Sequence, residues 1–444
     1  MKEQVKIPVS KVHRASKFLA AGVKVGGNYL KHYAREAING KTGKENLHTE
    51  NAQDIYHALS ELKGSALKAA QMMSMDKNIL PKAYSDTFAM AQYSAPPLSY
   101  PLVVKTIKSN LGKAPAEIFD SFTHNATNAA SIGQVHKATL GGKTLAVKVQ
   151  YPGVADSVVS DLKMVKPFAL RLMNMSESDV NNYMQEVEER LMEEADYELE
   201  LQRSVNITKA CLAEGFPGIQ FPVYYPDLSG KRVITMDWVD GLHLKEFLQT
   251  SPSQDVRNRI GQLLWDFYDF QVHSLRMMHA DPHPGNFLFK PDGSVGIIDF
   301  GCVKEIPDWF YPTYFRLHEP GILDDYNRMI ELFYENEFIS DRDSEEDKKL
   351  FIPLFRKVII LMGQPFFEGT FDFGNDEYFE NVYALSESIY KNKDVRSSNH
   401  ARGNRHALYI NRTYLGLYVM LHDLRAQVIT RSRNQSWKIT KTRE

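Results

Sequence analysis

The sequence predicts a mixed α+β chain in two lobes behind a helical N-terminal extension. Three observations predict it. Leu145, Val147 and Val149 alternate with Ala146, Lys148 and Gln150 as on a strand, Leu59, Leu62, Leu67 and Ala70 recur at helical spacing upstream, and helical text dominates from about residue 242 onward. The 444 residues suffice for two or three domains, and 43% hydrophobic content is ordinary for a globular protein. Fifty-three basic and 55 acidic residues nearly cancel, so no polyelectrolyte character points to nucleic acid, and none is expected as a partner. The two cysteines, Cys211 and Cys302, lie far apart, which excludes a disulfide framework and suits a reducing, cytoplasmic setting. Apolar runs such as Val358 to Met362 are short and flanked by charge, so no segment is expected to reach the ~20 apolar residues of a membrane-spanning helix.

Residues 1–50 form a basic, partly amphipathic segment and linker. Lys2, Lys6, Lys11, Arg14, Lys17, Lys24, Lys31 and Arg35 face only Glu3 and Glu36 and are interleaved with Phe18, Leu19, Val23, Val25 and Tyr29. The pattern suits an anionic membrane surface as well as a solvated helix packed on its own domain. Gly40 to Lys44 reads as the linker, and Asp54 to Gln92 as helix within an extension spanning residues 51–112. Pro96, Pro97 and Pro101 are expected to close it. Residues 113–239 mix a strand pair around Ile132 to Lys148, a long helix near 179–209 and strands near Gln220 and Val233. Residues 240–444 are mainly helical, and the acidic run Ser340 to Asp347 reads as an exposed loop or helix end.

Chemistry concentrates in four places. Leu145-Ala146-Val147-Lys148 resembles the V-A-I-K strand whose ammonium neutralises nucleotide phosphates. Upstream, Ala129, Ala130, Ser131, Gly133 and Val135 stand where a kinase places its glycine-rich loop, with only the third glycine and the valine kept. Small alanines still let backbone approach phosphate, with less freedom at positive φ. His279-Ala280-Asp281-Pro282-His283-Pro284-Gly285-Asn286 keeps the D-x-x-x-x-N spacing of a catalytic loop, and Asp299-Phe300-Gly301 follows behind two apolar strand residues. In that scheme Asp281 orients or deprotonates a nucleophile, while Asn286 and Asp299 offer hard oxygens to magnesium. Arg232 to Gly241 reads as a strand and connector, with Met236 lining an adenine pocket and the backbone of Asp237 and Val239 on the adenine edge. These elements occur in kinase order, so a bilobal protein-kinase-like fold binding ATP and Mg follows. A rival reading takes His279, Asp281 and His283 as the H-x-D-x-H metal site of a hydrolase.

Lys148 needs a carboxylate partner. Met184, Val187, Leu191, Ala195 and Leu199 define a helical stripe nearer Glu194 and Glu198 than Glu200, and periodicity alone leaves the choice open.

With these residues in hand, the chain resembles the UbiB/AarF/ADCK family of atypical kinases over most of its length. Asn128 to His136 resembles that family's alanine-rich loop, H-A-D-P-H-P-G-N its catalytic loop and Glu194-Ala195-Asp196 its E-x-D motif. The resemblance implies Glu200 as the partner of Lys148. It also implies a gating role for Lys68 and Gln71, in a K-x-G-Q-type motif with Ala70 in place of glycine, together with Glu194 and Asp196. No A-P-E follows Gly301, which argues against a platform for protein substrates. What the resemblance implies is Mg-ATP-dependent hydrolysis or phosphoryl transfer in isoprenoid-quinone or related lipid metabolism. An isoprenoid lipid or quinone precursor, an anionic membrane surface and biosynthetic protein partners are the further expectations. The polar run Trp437 to Glu444 makes any membrane association peripheral. The alternative is a nucleotide-binding, pseudokinase-like scaffold for a biosynthetic complex.

Overall fold

The computed structural model describes residues 45–62, 65–75, 83–84, 87, 97–129, 132–172, 177–392, 394–395 and 402–431, together with Ser16 and Lys24. Ala130, Ser131, Pro96, the rest of the basic segment 1–40 and the tail Trp437 to Glu444 lie outside the described residues. The chain divides into two compact units, Met1–Gln202 with Val223–Trp238, and Arg203–Pro222 with Val239–Glu444.

The first unit is built on an antiparallel sheet of β1 (Ser121–Phe122), β2 (Asn128–Ala129), β3 (Gly133–Leu140), β4 (Lys143–Gln150) and β6 (Val233–Asp237), while β5 (Ile219–Gln220) belongs to the second unit. The order is β1-β3-β4-β6, with β2 also on β3. Gly141 and Gly142, at φ 56° and 79°, form the two-residue turn that joins β3 to β4. Lys148 lies opposite Val135 on one side and Ile234 on the other. The alternation in β4 does not separate core from solvent, because Leu145 to Gln150 are all buried.

Around the sheet lie α1 (Glu45–Leu62), α2 (Ser65–Met75), α3 (Tyr100–Leu111), α4 (Val154–Leu172), α5 (Glu177–Ala195) and the start of α6 (Tyr197–Glu214). Three expectations change here. Helix begins at Glu45 rather than Asp54. Pro101 opens α3 instead of closing a unit, since proline's fixed φ suits a helix's first turn. The single helix expected over 179–209 is two, broken at Asp196. Nor is the extension a separate unit. Leu59 of α1 and Ala66, Ala69 and Ala70 of α2 share one buried cluster with Val158 and Leu162 of α4 and Val180 and Leu191 of α5. Helices this short bury an apolar face only against neighbours. A polar clamp crosses this cluster, with Ser157 Oγ donating to Asp161 Oδ2 at 3.1 Å and Ser65 Oγ donating to the same oxygen.

Among the described residues the second unit holds three small sheets. β5 and β8 (Phe287–Phe289) flank β9 (Val295–Ile297), β7 (Met277–His279) pairs with β10 (Val303–Glu305), and β11 (Thr370–Asp372) with β12 (Gln427–Ile429). Its principal helices are α7 (Gln254–Phe270), α8 (Glu345–Glu368), α9 (Asp376–Lys391) and α10 (Arg405–Asp423). The core is aromatic: Trp265, Phe267, Tyr268, Phe287, Phe289, Phe300 and Tyr418 are all buried.

The acidic run before α8 is not wholly exposed. Ser344 caps the helix and Asp343 is buried, pairing at 2.7 Å with Arg402, whose guanidinium lies 3.6 Å from the centre of the Phe351 ring. The absence of any long apolar segment is also corrected. By length and composition α8 could cross a membrane, with an 18-residue window of mean hydropathy 1.5 that is only 22% buried. Arg356 and Lys357 divide the apolar stretch into short runs while leaving the window apolar on average.

Candidate active site

In the first unit the chemistry is organised by charge. Lys148 Nζ donates to Glu200 Oε1 at 2.6 Å, with both side chains more than nine-tenths buried. Of the three carboxylates that periodicity left open, Glu200 is the one that reaches the lysine. Helical spacing does not carry through Asp196. There the chain leaves α5, and Asp196 Oδ1 accepts from Leu199 N at 3.0 Å to cap α6, which rotates Glu200 onto a new face. Tyr197, one residue beyond the break, sets its ring 5.1 Å from Lys148 Nζ. Gln150 Nε2 fixes the end of α5 by donating to Ala195 O at 2.8 Å.

Gly133 is a steric requirement. A Cβ there would meet Val149 O at 2.6 Å and Tyr197 Oη at 2.7 Å, so the strand and the tyrosine beside Lys148 can close up only on glycine. Ala129 pairs with Gln134 and Val135 with Lys148. Gln134 Oε1 accepts from Leu98 N at 2.7 Å, while its amide nitrogen reaches His136 Nε2 at 2.8 Å. His136 Nδ1 donates to Thr123 O at 2.9 Å, so Nε2 is the acceptor, and burial holds this imidazole neutral by lowering its pKa. No local pattern marks Gln134 as a joint.

Lys68 of the K-x-G-Q-type motif pairs with Glu194 of the E-x-D motif at 3.0 Å. Ala70 is fully buried in the helical cluster. The side chain of Gln71 lies outside the described residues. In the connector, Met236 is buried, and Asp237 does not offer its N–H to a ligand. That N–H donates to Val223 O at 2.9 Å, and the carboxylate accepts from Tyr225 Oη at 2.7 Å. The expected adenine contact through that N–H does not form, because a donor already bonded to the chain at Val223 cannot also read a base. Val239 is assigned to the second unit, where it is buried.

In the second unit the backbone does the holding. Asn286 Nδ2 donates to Asp281 O at 3.0 Å and to Asp281 Oδ2 at 3.2 Å, which turns its amide oxygen the other way. His283 N donates to Asp281 O at 2.7 Å, and Gly285 N to His283 Nδ1 at 2.9 Å. Gly301 N donates to Asp299 Oδ1 at 2.7 Å. His279 joins the two loops: Nε2 donates to Asp299 O at 2.8 Å, so Nδ1 accepts from Tyr268 Oη at 3.1 Å. Full burial lowers the His279 pKa against the pull of Asp281 and Asp299. Both histidines of the H-x-D-x-H reading are thus engaged as braces, and among the described residues no group of three His, Cys, Asp or Glu side chains could hold a metal ion.

Two supports were invisible in the sequence. α7 runs into a π-turn, Gln271–Leu275, in which Gln271 Oε1 accepts from His279 N at 2.9 Å. Arg276 then takes φ 54°, donates to Val272 O at 3.2 Å and to His273 O at 2.5 Å, and lies 3.2 Å from the centre of the Tyr311 ring. From α10, Gly416 packs on the His279–Asn286 loop so closely that a Cβ would meet Pro282 Cγ at 2.5 Å.

A family model described as the ABC1 atypical kinase-like domain matches residues 90–333, more than half of the chain. The chain belongs to that family. Among curated relatives, zebrafish (Danio rerio) atypical kinase COQ8B, mitochondrial, is 26% identical over 86% of this chain, and the probable serine/threonine-protein kinase abkA of Dictyostelium discoideum is 25% identical over 87%. The chain spans 62% of the length of the zebrafish protein and 73% of the Dictyostelium one. A solved structure of Rv3197 from Mycobacterium tuberculosis, titled as its complex with erythromycin, superposes with a TM-score of 0.59 at 26% identity, covering 87% of this chain and 95% of that one. The mixed α+β architecture is therefore that of an ABC1-type kinase-like structure, and membership implies nucleotide binding and kinase-type activity. Within this ABC1 chain, Phe300 of the D-F-G is fully buried, its ring centre 5.6 Å from that of His279 and 6.4 Å from that of Phe267.

Proposed function

We propose that this chain binds Mg-ATP and either hydrolyses it or passes its terminal phosphoryl group to a small, non-protein acceptor, in support of isoprenoid-quinone or related lipid metabolism. The observation that carries the reading is the buried Lys148–Glu200 pair. A lysine buried on a central strand beside one carboxylate is oriented before any ligand arrives, so its ammonium can meet phosphate oxygens without first losing rotamer freedom. Asp281, steadied by Asn286, accepts the proton of an attacking hydroxyl or water. The oxygens of Asn286 and Asp299 would hold the magnesium, which supplies neutralisation of phosphate charge when bound. Gly133, where no Cβ fits, lets the strand lie against Val149 and Tyr197 beside Lys148.

Two features favour a non-protein acceptor. After Gly301 the chain pairs β10 back onto β7 and enters the helix Phe310–Phe315 at once, leaving no extended platform for a peptide. The Lys68–Glu194 pair ties the extension to the helix that precedes Glu200 and suits a gate. Residues 1–40 supply basic charge for peripheral contact with an anionic membrane, and the site of action is cytoplasmic in this reading.

The test is a single-turnover measurement with purified full-length protein. Magnesium-dependent release of ADP that disappears in Asp299→Asn supports the enzyme. ATP that binds with magnesium and persists unhydrolysed supports the scaffold reading, which the fully buried Ala70 in place of the motif glycine favours. Absence of any magnesium-dependent nucleotide binding in a thermal-shift assay sinks both.

A further inference from the structure

The second unit encloses a cavity of about 480 Å³ against α8, lined by none of the residues assigned above to nucleotide, metal or catalysis. Its volume lies in the range that accommodates drug-sized ligands. The wall is formed by Phe315, Leu323, Ile360 and Phe366, with the imidazoles of His273 and His318 and the hydroxyl of Thr430. His318 sits among rings, its centre 5.0 Å from that of Phe366 and 6.2 Å from that of Phe315.

Three observations define what would fit. Thr430 is 1% exposed, and its Oγ1 has no hydrogen-bond partner among the described residues. Buried hydroxyls are nearly always paired, so this one marks a place where a ligand atom completes the structure. The imidazoles carry no charge at neutral pH: burial pushes His318 down to about 4 and His273 to about 3, and His273 Nδ1 is already bonded to Tyr311 Oη at 2.7 Å. Its 3.6 Å approach to Asp269 is therefore not an ion pair. At the rim the charges cancel. Asp324 pairs with Arg356 at 3.0 Å, Glu319 lies 3.6 Å from Arg316, and Glu368 and Arg431 contribute one charge of each sign. Nothing there draws an ion of either sign, whereas clustered rings favour offset or edge stacking with another ring.

We infer that this cavity is a second ligand site, taking a neutral, ring-bearing small molecule that stacks against the Phe315, His318 and Phe366 rings and bonds to the Thr430 hydroxyl. The inference does not depend on whether the chain turns over ATP. A flat, uncharged ligand loses little hydration on entering such a wall, while an anion of the same shape would find the lining cations Arg356 and Arg431 matched by Asp324 and Glu368.

Isothermal titration of the full-length protein tests this with 2-naphthamide, its isosteric anion 2-naphthoate and the open-chain amide decanamide as probes. Saturable one-to-one binding of 2-naphthamide is expected, with 2-naphthoate and decanamide each weaker by about tenfold or more. Ile360→Trp fills the cavity and should abolish binding. Thr430→Val keeps the shape, removes the hydroxyl, and should weaken 2-naphthamide about fivefold or more without lowering the melting temperature of the unliganded protein. Should Ile360→Trp fail to fold, Thr430→Val and Phe367→Ala at the 41% exposed rim position carry the test. Unchanged 2-naphthamide binding in the folded variants, tighter binding of the anion, or no saturable binding up to about 1 mM each overturns the inference.

Discussion

The candidate residues fall into two halves, one within each unit, held by different forces. In the first unit, functional side chains fix one another across long sequence separations, Lys148 with Glu200 and Lys68 with Glu194. In the second, Asp281 and Asp299 are fixed by groups within five residues, through Asn286, His283 and Gly301, and by one neutral histidine. A charge pair in low dielectric is strong while whole and costly when halved. A loop held by several backbone donors distributes its support, so loss of one side chain leaves the others standing. The first half should therefore fail structurally when mutated, and the second half chemically.

The largest expected effect is at the pair. Glu200→Leu leaves a buried ammonium unpaired and should cost ~3–5 kcal/mol in urea unfolding and remove the Mg-ATP thermal shift, while Lys148→Met with Glu200→Leu recovers much of the stability. Equal stability of the single and double variants would erase the contrast. Asp281→Asn sharpens it from the other side. Hydrolysis should fall by about 10²–10⁴ in single-turnover assays with the melting temperature nearly unchanged, because Asn286 keeps its bond to the backbone carbonyl of residue 281. Gly416→Ala should cost ~1–3 kcal/mol and lower turnover without weakening nucleotide binding, since its methyl overlaps Pro282.

Acid separates the units further. His273 and His318 are buried neutral in the second unit, at about 3 and about 4 against 6.5 for a free imidazole. The unfolded chain takes up these protons first, so stability is intact above pH 6.5 and declines as pH falls from there toward 4, by up to about 1.4 kcal/mol per pH unit for each histidine. Urea titrations at stepped pH measure that slope. The smallest effect is expected for Lys68→Ala, where a partly exposed pair is worth about 1 kcal/mol or less in stability, and its consequence should appear in turnover.

The same division explains what could be read in advance. Asp281, Asn286, Asp299 and Lys148 sit in short motifs with recognisable spacing, and the β3–β4 hairpin is legible only as a strand pair around Ile132 to Lys148, not as the Gly141–Gly142 turn that joins it. The partner of Lys148 could not be read from periodicity, because a helix break at Asp196 resets the phase and a short polar residue is compatible with both cap and interior. The π-turn at Gln271–Leu275 has no composition signal, and Asp237 looked available only because the strand partner of its N–H, Val223, lies in irregular chain. Side-chain to backbone joints such as Gln134 to Leu98 depend on where distant segments meet, which no local pattern encodes.

Gly416 has a consequence for the order in which the protein is made. Pro282 emerges from the ribosome long before the α10 residue that must pack against it, and chains grow at about 5–20 residues per second. The His279–Asn286 loop therefore waits roughly 7 to 27 seconds for its floor. During synthesis the Lys148 strand and its sheet can be complete, and the local bonds of Asn286 and His283 to Asp281 formed, while Pro282 still lacks the α10 surface behind it.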